Sequence, residues 1–419
     1  MTMSGIPAGH IPVGHIPVGH IPVGDVLAPA EEAGVARVVA EAHAAGEPLL
    51  VEGGGTKRAA LRPVQAARSL SLRNLSGITF YRPQEMVISA LAGTPIPEIE
   101  AALAERGQQL IAEPPDPRPI FGGEAAATLG GTVAANLSGP RRINGGAMRD
   151  HVLGVRFVNG EGEVLRSGGR VLKNVTGLDL CKLLSGSHGT LGVMTEITLK
   201  VLPASEATAT LAVRVPDLQR GVGALAAALG SPFGVSAAAI LPEGHAALGL
   251  DGVLAVARLE DFSESVRYRA ERLREALGLY GALTLIEGED SRALWRAVRD
   301  AVPLGAAPEE AVWRVSVRPS AAPGVAEALR REFGARLLLD WGGGLVWVAG
   351  PASEAAHAAV MRAALSAGGT FLLFRGPEPL RAAVPVIPEE VPALAALSQR
   401  VKAALDPRGI LNPGRLRAA

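Results

Sequence analysis

Apolar and polar positions along the chain alternate between two periods. Between Ala30 and Ala45 the apolar residues recur at the 3.6-residue spacing of a helix. Val35, Val38 and Val39 lie on one side, Glu31 and Glu32 stand near its start, and Gly46 supplies the stop. The run from Pro48 to Glu52 has the composition of a short buried strand, and Met86 to Ala92 reads as another. Ile96 to Arg106 predicts a helix closed by Gly107. Val152–Val158 and Val164–Arg166 flank a turn at residues 159–163, which predicts a hairpin. A further strand ends at Leu199–Pro203, and its proline sets a border. Beyond it, strands near 211–215, 312–317 and 345–348 alternate with helices near 222–229 and 266–277. Strand–helix alternation predicts an α+β or α/β first part and an α+β second part. Val391 to Leu405 reads as a last helix, followed by a loop through Arg415.

One segment fits neither period. Residues 9–23 repeat Gly-His-Ile-Pro-Val three times, with histidines at His10, His15 and His20. Proline at every fifth position forbids a regular helix, so a disordered arm over residues 1–24 is expected, a repeat expansion rather than a metal site.

Composition narrows the function classes. At 419 residues and 48% hydrophobic, the chain has material for two or three domains and large cores. Lysine and arginine balance aspartate and glutamate at 41 each, which argues against a nucleic-acid binder and leaves no polybasic handle for a membrane surface. Cys181 is the only cysteine, so this chain can hold neither an internal disulfide nor an iron–sulfur cluster. No run of about 20 apolar residues and no signal peptide are evident, so a cytoplasmic protein is expected, with any membrane association coming through partner subunits.

The candidate chemistry lies in glycine-dense loops. Gly53-Gly54-Gly55-Thr56-Lys57 follows a strand; three residues without Cβ let backbone N–H groups approach an anion, Thr56 adds a hydroxyl and Lys57 a charge. The loop is neither GxGxxG nor a P-loop. A second signal runs from Thr128 through Gly130, Gly131 and Asn136 to Arg141 and Arg142, two guanidinium groups beside a turn. A third is Lys173–Asp179 followed by Gly186-Ser187-His188-Gly189-Thr190-Leu191-Gly192. Three such elements within about 140 residues fit an extended dinucleotide lying along one domain.

In this order, these residues resemble the FAD-binding domain of the vanillyl-alcohol oxidase / p-cresol methylhydroxylase (PCMH) superfamily, over residues 25–203 and the tail Asn412–Gly414. In detail they resemble the FAD-binding subunits of bacterial glycolate oxidases. The resemblance implies a two-subdomain PCMH-type FAD-binding domain over 25–203, an α+β, ferredoxin-like cap over 204–385, and a helix and tail over 386–419 that return to the FAD domain. It implies that Gly53, Gly54, Gly55 and Thr56 wrap the FAD pyrophosphate and that Thr128, Gly130 and Gly131 line the flavin or its ribityl chain. Gly186, Gly189 and Val193 would lie near the dinucleotide, Val193 towards adenine, and Arg141 and Arg142 near the flavin ring.

Two departures bear on mechanism. Covalent members place a histidine in the first glycine loop; here the position is Thr56, so FAD is expected to be non-covalent. Catalytic partner subunits and related D-2-hydroxy-acid dehydrogenases carry His-x-His and Glu-His-Gly elements in the cap, whereas His245 and His357 stand alone here. The expected function is an FAD-dependent oxidoreductase subunit acting on glycolate or another 2-hydroxy acid, beside a homologous catalytic flavoprotein and an iron–sulfur subunit. The alternative is a non-catalytic FAD-holding, assembly or electron-transfer subunit. No residue is assigned as catalytic base, and no metal is expected.

Overall fold

A computed structural model describes residues 25–170 and 178–418. The repeat arm and most of the Lys173–Asp179 motif lie outside the described residues.

Two small sheets open the chain. Strands Val26–Leu27, Arg68–Ser71 and Leu49–Glu52 form a parallel sheet in that spatial order. Helix Glu32–Ala45 buries Val35, Val39 and Ala42 against Leu49 and Leu70, the apolar stripe its periodicity predicts, and ends at Gly46 in the left-handed conformation. A five-stranded antiparallel sheet follows, in the order Ile78–Arg82, Val87–Leu91, Val193–Lys200, Val152–Val158, Val164–Gly168. Its last two strands are the hairpin read from the sequence. Helices Ile96–Ala104, Leu129–Ala134 and Leu180–Leu184 share its core with Ile197 and Phe157.

The following part is one eight-stranded antiparallel sheet, ordered Ala282–Glu287, Ala207–Val215, Val253–Asp261, Ala237–Leu241, Arg336–Asp340, Leu345–Gly350, Ala311–Ser316, Thr370–Arg375. Chain order and spatial order together show two β-α-β-β-α-β units laid side by side, so the ferredoxin-like pattern occurs twice. The seam between them is a single registered pair, Ile240 opposite Leu339. Helices Leu218–Leu229, Ser263–Leu277, Ala322–Phe333 and Glu354–Ser366 cover one face of this sheet through a core that includes Trp313. The other face is turned to the FAD-domain side, where Ile120 and Leu137 pack with Val312, Trp347 and Phe374.

The chain then returns. Helix Pro392–Leu405 buries none of its residues, but the loop after it is deeply inserted. Asp406 accepts the backbone N–H groups of Ile410 and Leu411 at 3.1 and 2.8 Å, and Leu411 bridges in parallel to Leu49. Among the described residues, no helix is long and apolar enough to cross a membrane.

Candidate cofactor cleft

The strand Leu49–Glu52 ends at the glycine loop, and the loop is held from both sides. Arg58 grips Glu52 through two hydrogen bonds, that from Nε at 2.6 Å. A Cβ on Gly53 would stand 2.0 Å from the Thr128 Oγ1, and one on Gly130 2.8 Å from the Ala92 Cβ. These two glycines are therefore demanded first by close packing of strand, loop and helix. Thr128 caps the helix Leu129–Ala134 by accepting the N–H of Gly131 at 3.3 Å.

A cleft of about 950 Å³ of atom-free space, solvent mouth included, runs from this loop to the second sheet-forming part. Gly53 to Lys57, Thr128, Gly130, Gly131 and Gly189 line it. Its far wall brings Leu61 and Met194 together with Leu372 and Phe374 of the strand Thr370–Arg375.

The electrostatics of the cleft are one-sided. Burial, with Arg415 nearby, lowers the Lys57 ammonium from 10.5 to about 8. Its Nζ donates to Thr56 Oγ1 at 3.2 Å, and among the described residues no carboxylate lies within ion-pair distance. Burial and Arg381 lower the Arg415 guanidinium to about 10; its nitrogens donate to the carbonyls of Arg62 at 3.1 Å and Lys57 at 2.8 Å. Burial, Arg415 and Lys57 push His188 down to about 3, so its ring is neutral at physiological pH. Glu52, the carboxylate that lines this cleft, is paired with Arg58 and only partly offsets Arg415, so two half-buried cations there favour an added anion. Bare backbone at Gly54 and Gly131 beside those cations fits a diphosphate.

The Asn-Pro-Gly tail completes the enclosure. Asn412, with φ of +45°, accepts the Val51 N–H at 2.7 Å and donates to the carbonyls of Val51 at 3.1 Å and His188 at 2.9 Å. One side chain thus ties the strand before the glycine loop to the loop that carries Gly189.

Several residues singled out by the sequence lie elsewhere. Asn136 accepts the backbone N–H of Arg149 at 3.0 Å in a turn, and Gly186, with φ of +90°, donates to the Val133 carbonyl at 3.2 Å. Val193 is buried in the core with Val158 and Leu411; its neighbours Gly192 and Met194 line the cleft instead. Arg141 does not line the cleft. It binds Glu260 through Nε at 3.0 Å and a terminal nitrogen at 2.7 Å, while Arg258 binds Glu113 at 2.8 and 2.9 Å. Burial pushes the Glu260 carboxyl up, but Arg258 and Arg141 outweigh it and hold it down to about 2. This four-residue network clamps the strand Val253–Asp261 to the FAD-domain side, so Arg141 has its charge satisfied there. Arg142 also stands off the cleft and stacks over Trp341, 4.5 Å from the ring centre. His188 joins the cleft from within the Gly186–Gly192 element, whereas Arg415, Leu372 and Phe374 carry no glycine-rich signal; Arg415 is announced only by the tail motif beside it.

The FAD binding domain family model matches residues 25–168, and that of the FAD linked oxidases' C-terminal domain matches residues 383–416. The chain is 37% identical over 377 residues to the glycolate oxidase subunit GlcE of Escherichia coli, covering 88% of this chain and 93% of that one. It is 28% identical over 187 residues to the glycolate oxidase subunit GlcD of Bacillus subtilis, covering 44% of this chain and 38% of that one. The structure of p-cresol methylhydroxylase with substrate bound superposes with a TM-score of 0.70 at 14% identity, covering 94% of this chain and 88% of that one, a likeness of fold. The chain carries an FAD-binding domain and belongs to the family of the glycolate oxidase subunit GlcE.

Proposed function

We propose that this chain holds FAD non-covalently in the cleft and serves as the FAD-binding subunit of an oxidoreductase that converts glycolate, or a similar 2-hydroxy acid, to the 2-oxo acid. The observation that carries the reading is the pair of half-buried cations, Lys57 and Arg415, neither in an ion pair among the described residues, beside the bare backbone of Gly53–Gly55 and Gly131. Lys57 and Arg415 would neutralise the diphosphate, Thr56 and the loop N–H groups would donate to it, and Leu61, Leu372 and Phe374 would exclude water at the far end. FAD, when bound, supplies the acceptor for the two electrons that leave the substrate's α-carbon. Thr56 in the loop offers no side-chain nitrogen for a flavin bond, which supports non-covalent binding. The relatives named as subunits support a partner of the same fold; with one cysteine in this chain, an iron–sulfur relay belongs to another polypeptide.

A second reading has its own support: an FAD-holding or electron-transfer subunit beside a catalytic homologue. His357 is buried and accepts from the Trp313 indole at 3.1 Å, a packing role, and the network with Glu113 and Arg141 consumes Arg258 and Glu260, two charged groups of the sheet's FAD-facing side. Purified chain loaded with FAD and given glycolate anaerobically separates the two. Bleaching without any partner assigns the oxidation to this chain, and a persistently oxidised spectrum assigns it to the partner. Failure to retain FAD at all overturns both.

A further inference from the structure

We infer that Arg314, with Arg142 across Trp341, forms a binding site for a small carboxylate beside the Leu372 and Phe374 wall of the cleft. The inference rests on the reading above, since the carboxylate in question is that of a 2-hydroxy acid.

Arg314 sits mid-strand in Ala311–Ser316, opposite Trp347 on one side and Leu372 on the other. Leu372 and Phe374 line the cleft, so Arg314 stands immediately beside its wall. Its guanidinium carbon is 4.9 Å from the Trp347 ring centre, 5.4 Å from Trp341 and 5.6 Å from Phe374. Among the described residues it has no ion-pair partner and no hydrogen-bond acceptor, and its Nε is buried and unsatisfied. Other arginines turned towards this interface are consumed: Arg258 by Glu113, Arg141 by Glu260, Arg375 by the carbonyls of Ile120, Ala307 and Glu310.

The nearby acid does not discharge it. Asp340 is buried, accepts the Trp341 N–H at 2.7 Å, and is pushed up to about 7 by burial, so at neutral pH its carboxyl is roughly half protonated. Arg142 stacks over Trp341 and repels Arg314, while Arg149 repels Arg142 and Asp150 offsets it from outside. The locality therefore has excess positive charge. Aromatic rings crowd the guanidinium, so its in-plane edge is the part left to donate. That edge matches a planar carboxylate in bidentate contact. Leu372 and Phe374, the latter backed by Phe121, make the neighbouring cleft wall apolar, which restricts the rest of the ligand to a short, uncharged remainder.

The full-length chain, in FAD-loaded and FAD-stripped forms, is titrated with glycolate, with acetate as a carboxylate that cannot be oxidised, and with glycolamide as the uncharged isostere. Intrinsic tryptophan fluorescence is read in both forms and flavin difference absorbance in the loaded one. Glycolate and acetate are expected to give saturable changes, and glycolamide none. Arg314→Met is expected to weaken carboxylate binding about 10–100-fold, the worth of a charge-assisted hydrogen-bonded pair. Arg314→Lys retains part of it, and both variants keep wild-type affinity for FAD. If Arg314→Met lowers the melting temperature sharply, Arg142→Met serves instead, with a loss of about fivefold for a charge acting across the ring. Equal carboxylate affinity in wild type and folded variants overturns the proposal, as does a wild-type protein that holds FAD but responds equally to glycolamide. A protein that binds carboxylate through Arg314 but retains no FAD would sink the cofactor reading alone.

Discussion

Replacing Lys57 by methionine should move two measured quantities in opposite directions. Burial takes this ammonium from 10.5 to about 8. At about 1.4 kcal/mol for each tenfold change in proton affinity, holding the charge in the FAD-stripped protein costs about 3 kcal/mol, as an upper bound. Lys57→Met removes the charge and keeps the aliphatic stem, so the stripped protein should gain up to that amount. A domain of this size gains about 2–4 °C per kcal/mol, so the rise in Tm is at most about 6–12 °C. FAD affinity should fall about 10–100-fold, because the same charge-assisted contact to the diphosphate is lost. The pH dependence follows the same sign. Between about 8 and 10.5 the unfolded chain binds the Lys57 proton and the folded chain has released it, so wild-type stability should rise with pH across that window. The variant should lose that contribution. Scanning calorimetry of the stripped proteins and fluorescence titration with FAD measure both effects. A variant that melts lower than wild type, or binds FAD equally well, refutes the claim that Lys57 is a strained cation waiting for an anion.

Other expectations follow from the same geometry. Gly53→Ala places a methyl 2.0 Å from the Thr128 Oγ1 and should abolish FAD retention; adding Thr128→Ala removes that oxygen and should restore part of it, read from the flavin absorbance of purified protein. Glu113→Gln strands Arg258 without its counter-charge and should cost about 3–5 kcal/mol in urea unfolding. Asn412→Ala leaves the Val51 N–H without its acceptor and should cost about 1–3 kcal/mol while speeding FAD release in stopped-flow dilution.

Much of the local architecture is legible in the sequence because it is decided locally. The stripe Val35, Val39, Ala42 and the stop at Gly46 define a helix without outside help, and the residues 159–163 turn defines a hairpin. The glycine loop is legible for the same reason, although its first duty is packing against Thr128. Partners distant in sequence are not legible. Arg141 and Arg142 are neighbours, yet one is neutralised by Glu260, 119 positions away, and the other stacks on Trp341. Lys57 and Arg415 meet across 358 positions, and nothing near Arg415 except the Asn412–Gly414 turn marks its destination. The doubled ferredoxin-like pattern escapes for a related reason: strand pairing is a long-range property, and the seam at Ile240 and Leu339 is one pair of residues.

The placement of Asn412 and Arg415 fixes a point in the life of the protein. A ribosome still making residues 1–411 has already delivered every glycine of the cradle, but the strap across it and one of its two cations do not yet exist. On the proposed reading, stable cofactor capture waits until the tail has left the exit tunnel, and a protease that clips the segment after Leu411 is expected to empty the cleft of a protein whose cores remain intact.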